Sequence, residues 1–159
     1  MSIILNEQQY EIFDLTTKSW KDDISWIKYI TDKTPRNKSI KNIILHTHEG
    51  VISKLLSGFG PDSTIDEALA RYQVNTTRQV SWDYTVDLNG DVIVQNDPVL
   101  TYSWQAGQAN PSSLGIEMIQ QNKEGIRYLY EGQLQKTVLL IDFLTAALGI
   151  QRQIAWKNG

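Results

Sequence analysis

The chain has 159 residues, 41% hydrophobic and 21% charged, with a formal net charge of -3 and an isoelectric point near 5.3. That length closes one hydrophobic core without staples, so a single domain over residues 1–159 is expected, and the ordinary composition excludes disordered, collagen-like and coiled-coil classes. The acidic balance and the absence of any Lys/Arg run longer than two residues exclude nucleic acid as a partner, and the absence of cysteine excludes disulfides, a thiolate metal site and a thiol nucleophile.

Taken in chain order, Met1 to Glu7 has no basic segment and only Ile3-Ile4-Leu5 as an apolar run, which is far short of a secretory or membrane-spanning segment. Synthesis in the cytoplasm and no membrane partner are expected. Residues 1–39, with Tyr10, Phe13, Trp20, Trp26, Ile27 and Ile30 spaced among polar helix formers, read as an N-terminal helical extension with a short helix over 24–30. Lys33-Thr34-Pro35-Arg36-Asn37 breaks it, because proline biases the preceding residue away from the helical region. Ile40 to Leu45 fits a central strand buried on both faces and ending at His46.

The stretch from Gly50 to Pro61 reads as a loop, and Thr64-Ile65-Asp66-Glu67 matches a capping box opening a helix to about Tyr72. Val80 to Asp87, Asn89-Gly90 and Val92 to Gln95 then form a hairpin signal, since Asn-Gly tolerates the positive φ of a tight turn. Leu114 to Ile119 reads as a further strand. Gln133 to Leu148 reads as a helix that packs on the sheet through Leu134, Val138, Ile141, Thr145 and Leu148, widened by Leu140, Leu144 and Ala147, with Gly149 ending it. Gln153-Ile154-Ala155-Trp156 is strand-like. The order gives an α/β fold with a single mixed β-sheet flanked by helices.

His46 and His48 are the only histidines in the chain, and their spacing puts both on one face of a continuing strand. From spacing alone a metal or catalytic role and a plain strand ending are equally compatible. Glu117 lies inside Leu114-Gly115-Ile116-Glu117-Met118-Ile119, where a carboxylate is costly unless it meets a partner or a cleft, and this suits a general base. Asp83, in Ser81-Trp82-Asp83-Tyr84-Thr85, is a second strand carboxylate between aromatics that suit a saccharide or peptide groove, although alternation alone reads it as solvent-facing.

Four blocks carry a resemblance. Ile43-Ile44-Leu45-His46-Thr47-His48 resembles the strand that delivers the first zinc ligand in type-2 N-acetylmuramoyl-L-alanine amidases and peptidoglycan recognition proteins. Ser81 to Val92 is similar to that family's S-[AYW]-H-Y-x-[IV]-D-x-x-G-x-[IV] hairpin, Trp104-Gln105-Ala106-Gly107 to its W-H-A-G, and Asn110 with Ser113-Leu114-Gly115-Ile116-Glu117 to its N-x-x-S-[IL]-G-I-E. The resemblance implies an amidase-2 or peptidoglycan-recognition-like fold and peptidoglycan or muropeptide as partner. It implies hydrolysis of the amide between N-acetylmuramic acid and L-alanine by zinc-activated water, with His46 as a metal ligand and Glu117 as the catalytic base. His48, Trp82, Asp83, Trp104, Gln105 and Asn110 fall at groove or site positions.

The departures are specific. Asp83 and Gln105 stand where the family has histidine, Trp82 stands where some members have tyrosine, and two of the usual three zinc ligands have no counterpart after Gly149. A chain truncated at its C-terminus, a degenerate peptidoglycan-binding module or phage structural component that has lost zinc, and a site rearranged around His46, His48 and a carboxylate each account for part of this. A glycosidase using Glu117 and Asp83 is a further alternative, against which the four blocks argue. An endolysin acting on the cell wall, a phage particle component and a recycling enzyme are all compatible with the lack of a signal peptide, and stem-peptide type and oligomeric state have no signature.

Overall fold

In the computed structural model the described residues are 2–5, 8–11, 17–18, 34–47, 73, 77–88, 90, 92–123 and 126–153. They form nine strands: β1 (Ser2–Leu5), β2 (Gln8–Glu11), β3 (Thr17–Lys18), β4 (Asn42–Thr47), β5 (Tyr84–Val86), β6 (Val92–Val94), β7 (Ser113–Met118), β8 (Gln121–Lys123) and β9 (Ile126–Tyr128). A 3₁₀ helix spans Gly107–Ser112, and one long helix, α1, spans Glu131–Leu148. The main sheet has the order β3-β6-β5-β7-β4; β5 and β6 pair antiparallel, whereas β7 pairs parallel to both β5 and β4. It is the mixed sheet expected for an amidase-2 or peptidoglycan-recognition-like fold.

Alternation splits this sheet into two chemically different faces. Leu114, Ile116 and Met118 of β7 join Tyr84, Val86, Val92 and Val94 in one buried cluster, closed by Leu140 and Leu144 of α1. Each fully buried leucine contributes about 1.5–3 kcal/mol, so this face anchors the fold. The other face carries Ser113, Gly115 and Glu117 of β7 beside Asp83, Thr85 and Gln95, and it too is buried. A polar layer removed from water must find partners or hold a function.

Several expectations are corrected. β1, β2 and β3 occupy positions within the N-terminal segment expected to be helical, whereas the helix expected over 24–30 lies outside the described residues, as do the one over 64–72 and, beyond Gln153, the strand-like 153–156. β4 runs through His46 to Thr47 and is only partly buried, with Leu45 46% exposed, and among the described residues it closes one end of the main sheet. The hairpin is wider than a two-residue turn: Val86 pairs with Val92, and Gly90 (φ 84) donates its N–H to the Asp87 carbonyl at 3.1 Å. A Cβ at Gly90 would lie 2.7 Å from Lys136 Cγ, so α1 packs directly over this turn.

α1 spans Glu131–Leu148 and stops at Gly149, as its sequence pattern predicts to within one turn, and it packs through the expected Leu140, Leu144 and Thr145 with Ile141 and Leu148 partly buried beside them, but the expected Leu134 and Val138 face away. Gln133, Thr137, Leu140, Leu144 and Thr145 are buried, whereas Leu134 and Val138 are 42% and 55% exposed. Gln133 decides the rotation, since its Nε2 donates to the carbonyls of Val86 (3.0 Å) and Ile119 (2.8 Å) where β5 and β7 end.

Candidate functional site

The parallel register of β4 and β7 sets His46 directly opposite Glu117, and Thr85 of β5 stands on the other side of the same glutamate. Adjacent strands lie about 4.8 Å apart, so imidazole, carboxylate and hydroxyl form one row across the polar face. Glu117 is 7% exposed, and Thr85 is fully buried. His46 is half-buried, its Nε2 has no hydrogen-bond partner, and burial pushes its pKa below the usual imidazole value. The row therefore presents a neutral imidazole with an unmet ring nitrogen beside an enclosed carboxylate.

One pleat along the strands, the next row runs Gln95, Asp83, Gly115 and Ile44. Asp83 does not face solvent; it is fully buried. Its Oδ2 accepts from the Gly115 N–H at 2.8 Å and from the Ser103 hydroxyl at 2.9 Å, while its own N–H donates to the Gly115 carbonyl at 3.0 Å. It thus continues the pairing of β5 with β7 by side chain and locks the loop carrying Ser103 onto the sheet.

Trp82 is also buried, packed on Ile119 with Val80 and Leu88, and its indole N–H donates to Thr85 Oγ1 at 2.7 Å. Thr85 in turn donates to Gln95 Oε1 at 2.9 Å. This chain fixes the hydroxyl beside Glu117. Asn110 is 2% exposed, and its Oδ1 accepts from the backbone N–H groups of Gln105 (3.0 Å) and Ala106 (2.6 Å), so it shapes the turn that presents Trp104 and Gln105. Trp104 is partly exposed and tilts against Tyr102 with ring centroids 5.5 Å apart. Gln105 lies over Gly115. His48 lies outside the described residues.

One organising residue has no motif to reveal it. Arg36, partly buried, donates to the carbonyls of Pro98, Pro111 (2.7 Å) and Ser113 (2.9 Å), joining three segments at the start of β7. Burial lowers its pKa and the charge of Asp83 opposes that shift. The only sequence signal is the proline before it.

A catalytic zinc takes three protein ligands and keeps one open position. The orphaned Nε2 of His46 suits one ligand, but among the described residues no group of three or more His, Asp or Glu side chains is placed to hold a metal, and Asp83 is committed to Gly115 and Ser103. The described donor set does not by itself fit zinc.

No curated protein matches this chain significantly in sequence. Among solved structures it is similar to the catalytic domain of XlyA (20% identity, 86% of this chain and 80% of that one, TM-score 0.55). It is also similar to the Staphylococcus aureus hydrolase AmiA solved with its ligand (12% identity, 91% of this chain and 60% of that one, TM-score 0.57). A third similar structure is the PGRP-Hd from Alvinella pompejana (15% identity, 90% of this chain and 88% of that one, TM-score 0.62). At these identities the likeness concerns the fold. The sequence profile described as N-acetylmuramoyl-L-alanine amidase matches residues 36–156, which covers β4 through α1 and every residue of the two polar rows. The chain belongs to the N-acetylmuramoyl-L-alanine amidase family.

Proposed function

We propose that this chain acts on peptidoglycan by hydrolysing the amide between N-acetylmuramic acid and L-alanine, with the polar face of the sheet as its site. The observation that carries the reading is the alignment of His46 with Glu117 across β4 and β7 on a buried polar face. Family membership supports the substrate class. In this reading Glu117 accepts the proton of the attacking water and delivers it to the departing amine of L-alanine, which a carboxylate enclosed beside the scissile bond can do twice per turnover. Thr85, held by Trp82 and Gln95, keeps the row in register. His46, neutral through burial, offers Nε2 to a ligand atom.

The family is typically zinc-dependent, and bound zinc supplies Lewis-acid polarisation of the carbonyl and a more acidic water. The described donors do not complete such a site. The same donor set favours a second reading, a muropeptide-binding module that retains the groove without turnover. Elemental analysis of the purified chain together with thermal unfolding in the presence of a muropeptide separates the two. One equivalent of zinc surviving dialysis against a weak chelator supports the enzyme, whereas a metal-free chain whose melting temperature still rises with muropeptide supports the module. A chain with neither response sinks both.

A further inference from the structure

Arg36-Asn37-Lys38-Ser39-Ile40-Lys41 carries three cations and no acid in a chain whose net charge is -3. The segment enters β4 from the end opposite His46, and residues 36–40, with Val99 and Leu148, line a hollow of about 460 Å³. Small-molecule sites occupy about 300–1,000 Å³, so the space suits one. Ile40, Val99 and Leu148 are partly buried and pack on the core cluster that contains Leu114 and Ile116. The hollow therefore lies toward the apolar face of the sheet, away from the His46–Glu117 row, with roughly 13 Å of strand between Asn42 and His46.

Two kinds of surface meet there. Ile40, Val99 and Leu148 form an apolar floor that the core holds in place. Asn37, Lys38 and Ser39 are exposed and supply a carboxamide, an ammonium and a hydroxyl. Arg36 is fixed beside them by the carbonyls of Pro98, Pro111 and Ser113, which use three of its five N–H groups and, being neutral, leave its charge in place. Asp97 and the carbonyl end of α1 count against an anion. Asp97, however, does not line the hollow, and its Oδ1 accepts from the Val99 N–H at 3.0 Å. At the end of α1 the N–H groups of Gly149 and Ile150 cap the carbonyls of Ala146 and Thr145, which blunts the negative pole. The lining itself has two cations and no acid. A neutral amphiphile leaves those cations unused and a bare inorganic anion leaves the floor uncovered, whereas an anionic head on an aliphatic tail matches both.

We infer that this hollow is a binding site for a single-chain anionic amphiphile, with its aliphatic tail on Ile40, Val99 and Leu148 and its head at Arg36 and Lys38. The site is separate from the peptidoglycan site proposed above and does not depend on it. Calorimetric titration of the intact chain with octanoate and decanoate, below their micelle-forming concentrations, is the test, with decyltrimethylammonium and inorganic phosphate as probes that keep only the tail or only a negative head.

One decanoate per chain is expected, with affinity rising about fourfold for each methylene added between octanoate and decanoate, and with no binding of decyltrimethylammonium or phosphate at the same concentration. Lys38→Glu, at an exposed position, should weaken decanoate binding at least about threefold at an unchanged melting temperature, and Ser39→Trp, which fills the hollow, should block it. An N-acetylmuramoyl peptide should not displace decanoate. Absence of saturable decanoate binding, equal binding of decyltrimethylammonium, wild-type affinity in both variants, or displacement by the muramoyl peptide overturns the inference. Binding to phosphatidylglycerol vesicles without binding of free decanoate also overturns it and assigns the basic segment to a membrane surface. A chain that binds decanoate but no muropeptide keeps this site and loses the peptidoglycan reading.

Discussion

Asp83 offers the clearest separation of structural from chemical roles in the polar face. Replacing it with alanine removes the acceptor for two buried donors, the Gly115 N–H at 2.8 Å and the Ser103 hydroxyl at 2.9 Å. A hydrogen bond to a charged group contributes about 1.5–3 kcal/mol, and each buried donor left unmet costs about 1–3 kcal/mol. Part of this is offset because the carboxylate itself no longer has to be desolvated, so a net loss of about 3–4 kcal/mol is expected. Asp83→Asn keeps an oxygen for Gly115 and leaves Ser103 free to turn its lone pair toward the new amide, so about 1–2 kcal/mol is expected there. For a domain of ordinary stability, about 5–15 kcal/mol, the first change is severe and the second is tolerated. Urea unfolding with a common slope for all three proteins gives both values directly. If Asp83→Ala unfolds within about 1 kcal/mol of wild type yet loses muropeptide binding, Asp83 is a site residue and the structural account of it is wrong.

Other consequences follow from the same geometry. Arg36→Met removes the donors to the carbonyls of Pro98, Pro111 and Ser113 while keeping an apolar stem, and should cost about 2–4 kcal/mol in the same unfolding assay; a change under about 0.5 kcal/mol contradicts the clamp. His46, whose pKa burial lowers from 6.5, stays neutral at pH 7; the unfolded chain binds its proton first, so stability declines as pH falls below 6.5 toward the folded value and is unaffected by this group above 6.5. Proton NMR titration, assigned with a His48→Gln variant, reads that pKa, and a value at or above 6.5 refutes the burial argument.

Much of this arrangement is legible in the sequence because it rests on local pattern. The run Leu114-Gly115-Ile116-Glu117 shows a strand with a carboxylate on one face, and the structure places it inside the sheet, between β5 and β4. Gly90, with its positive φ between β5 and β6, and the Gly149 stop after α1 likewise fall where the sequence marks them. What escapes the pattern depends on pairings far apart in the chain. The packing of α1 through Leu140, Leu144 and Thr145 follows the pattern, but Leu134 and Val138 face away, because Gln133 reaches the ends of β5 and β7 from the first turn of the helix. The apolar run of β4 suggests a doubly buried strand, yet it is only partly buried and among the described residues pairs with β7 alone. Asp83 alternates like a solvent-facing residue and is enclosed because Ser103 and Gly115, 20 and 32 residues away, converge on it. Arg36 carries no motif, since three backbone carbonyls leave no trace in a sequence.

The central claim is that Glu117 serves as the base for hydrolysis of the muramoyl–L-alanine amide, and product analysis on digested cell wall with the wild-type chain and Glu117→Gln tests it most directly. Wild type should generate new L-alanine amino termini and no new reducing sugar ends, and Glu117→Gln, which keeps the shape but cannot take the water's proton, should lose about 10²- to 10⁴-fold in rate while melting at nearly the same temperature. Amino termini released equally by Glu117→Gln, reducing ends in place of amino termini, or no release by the wild-type chain would contradict the account.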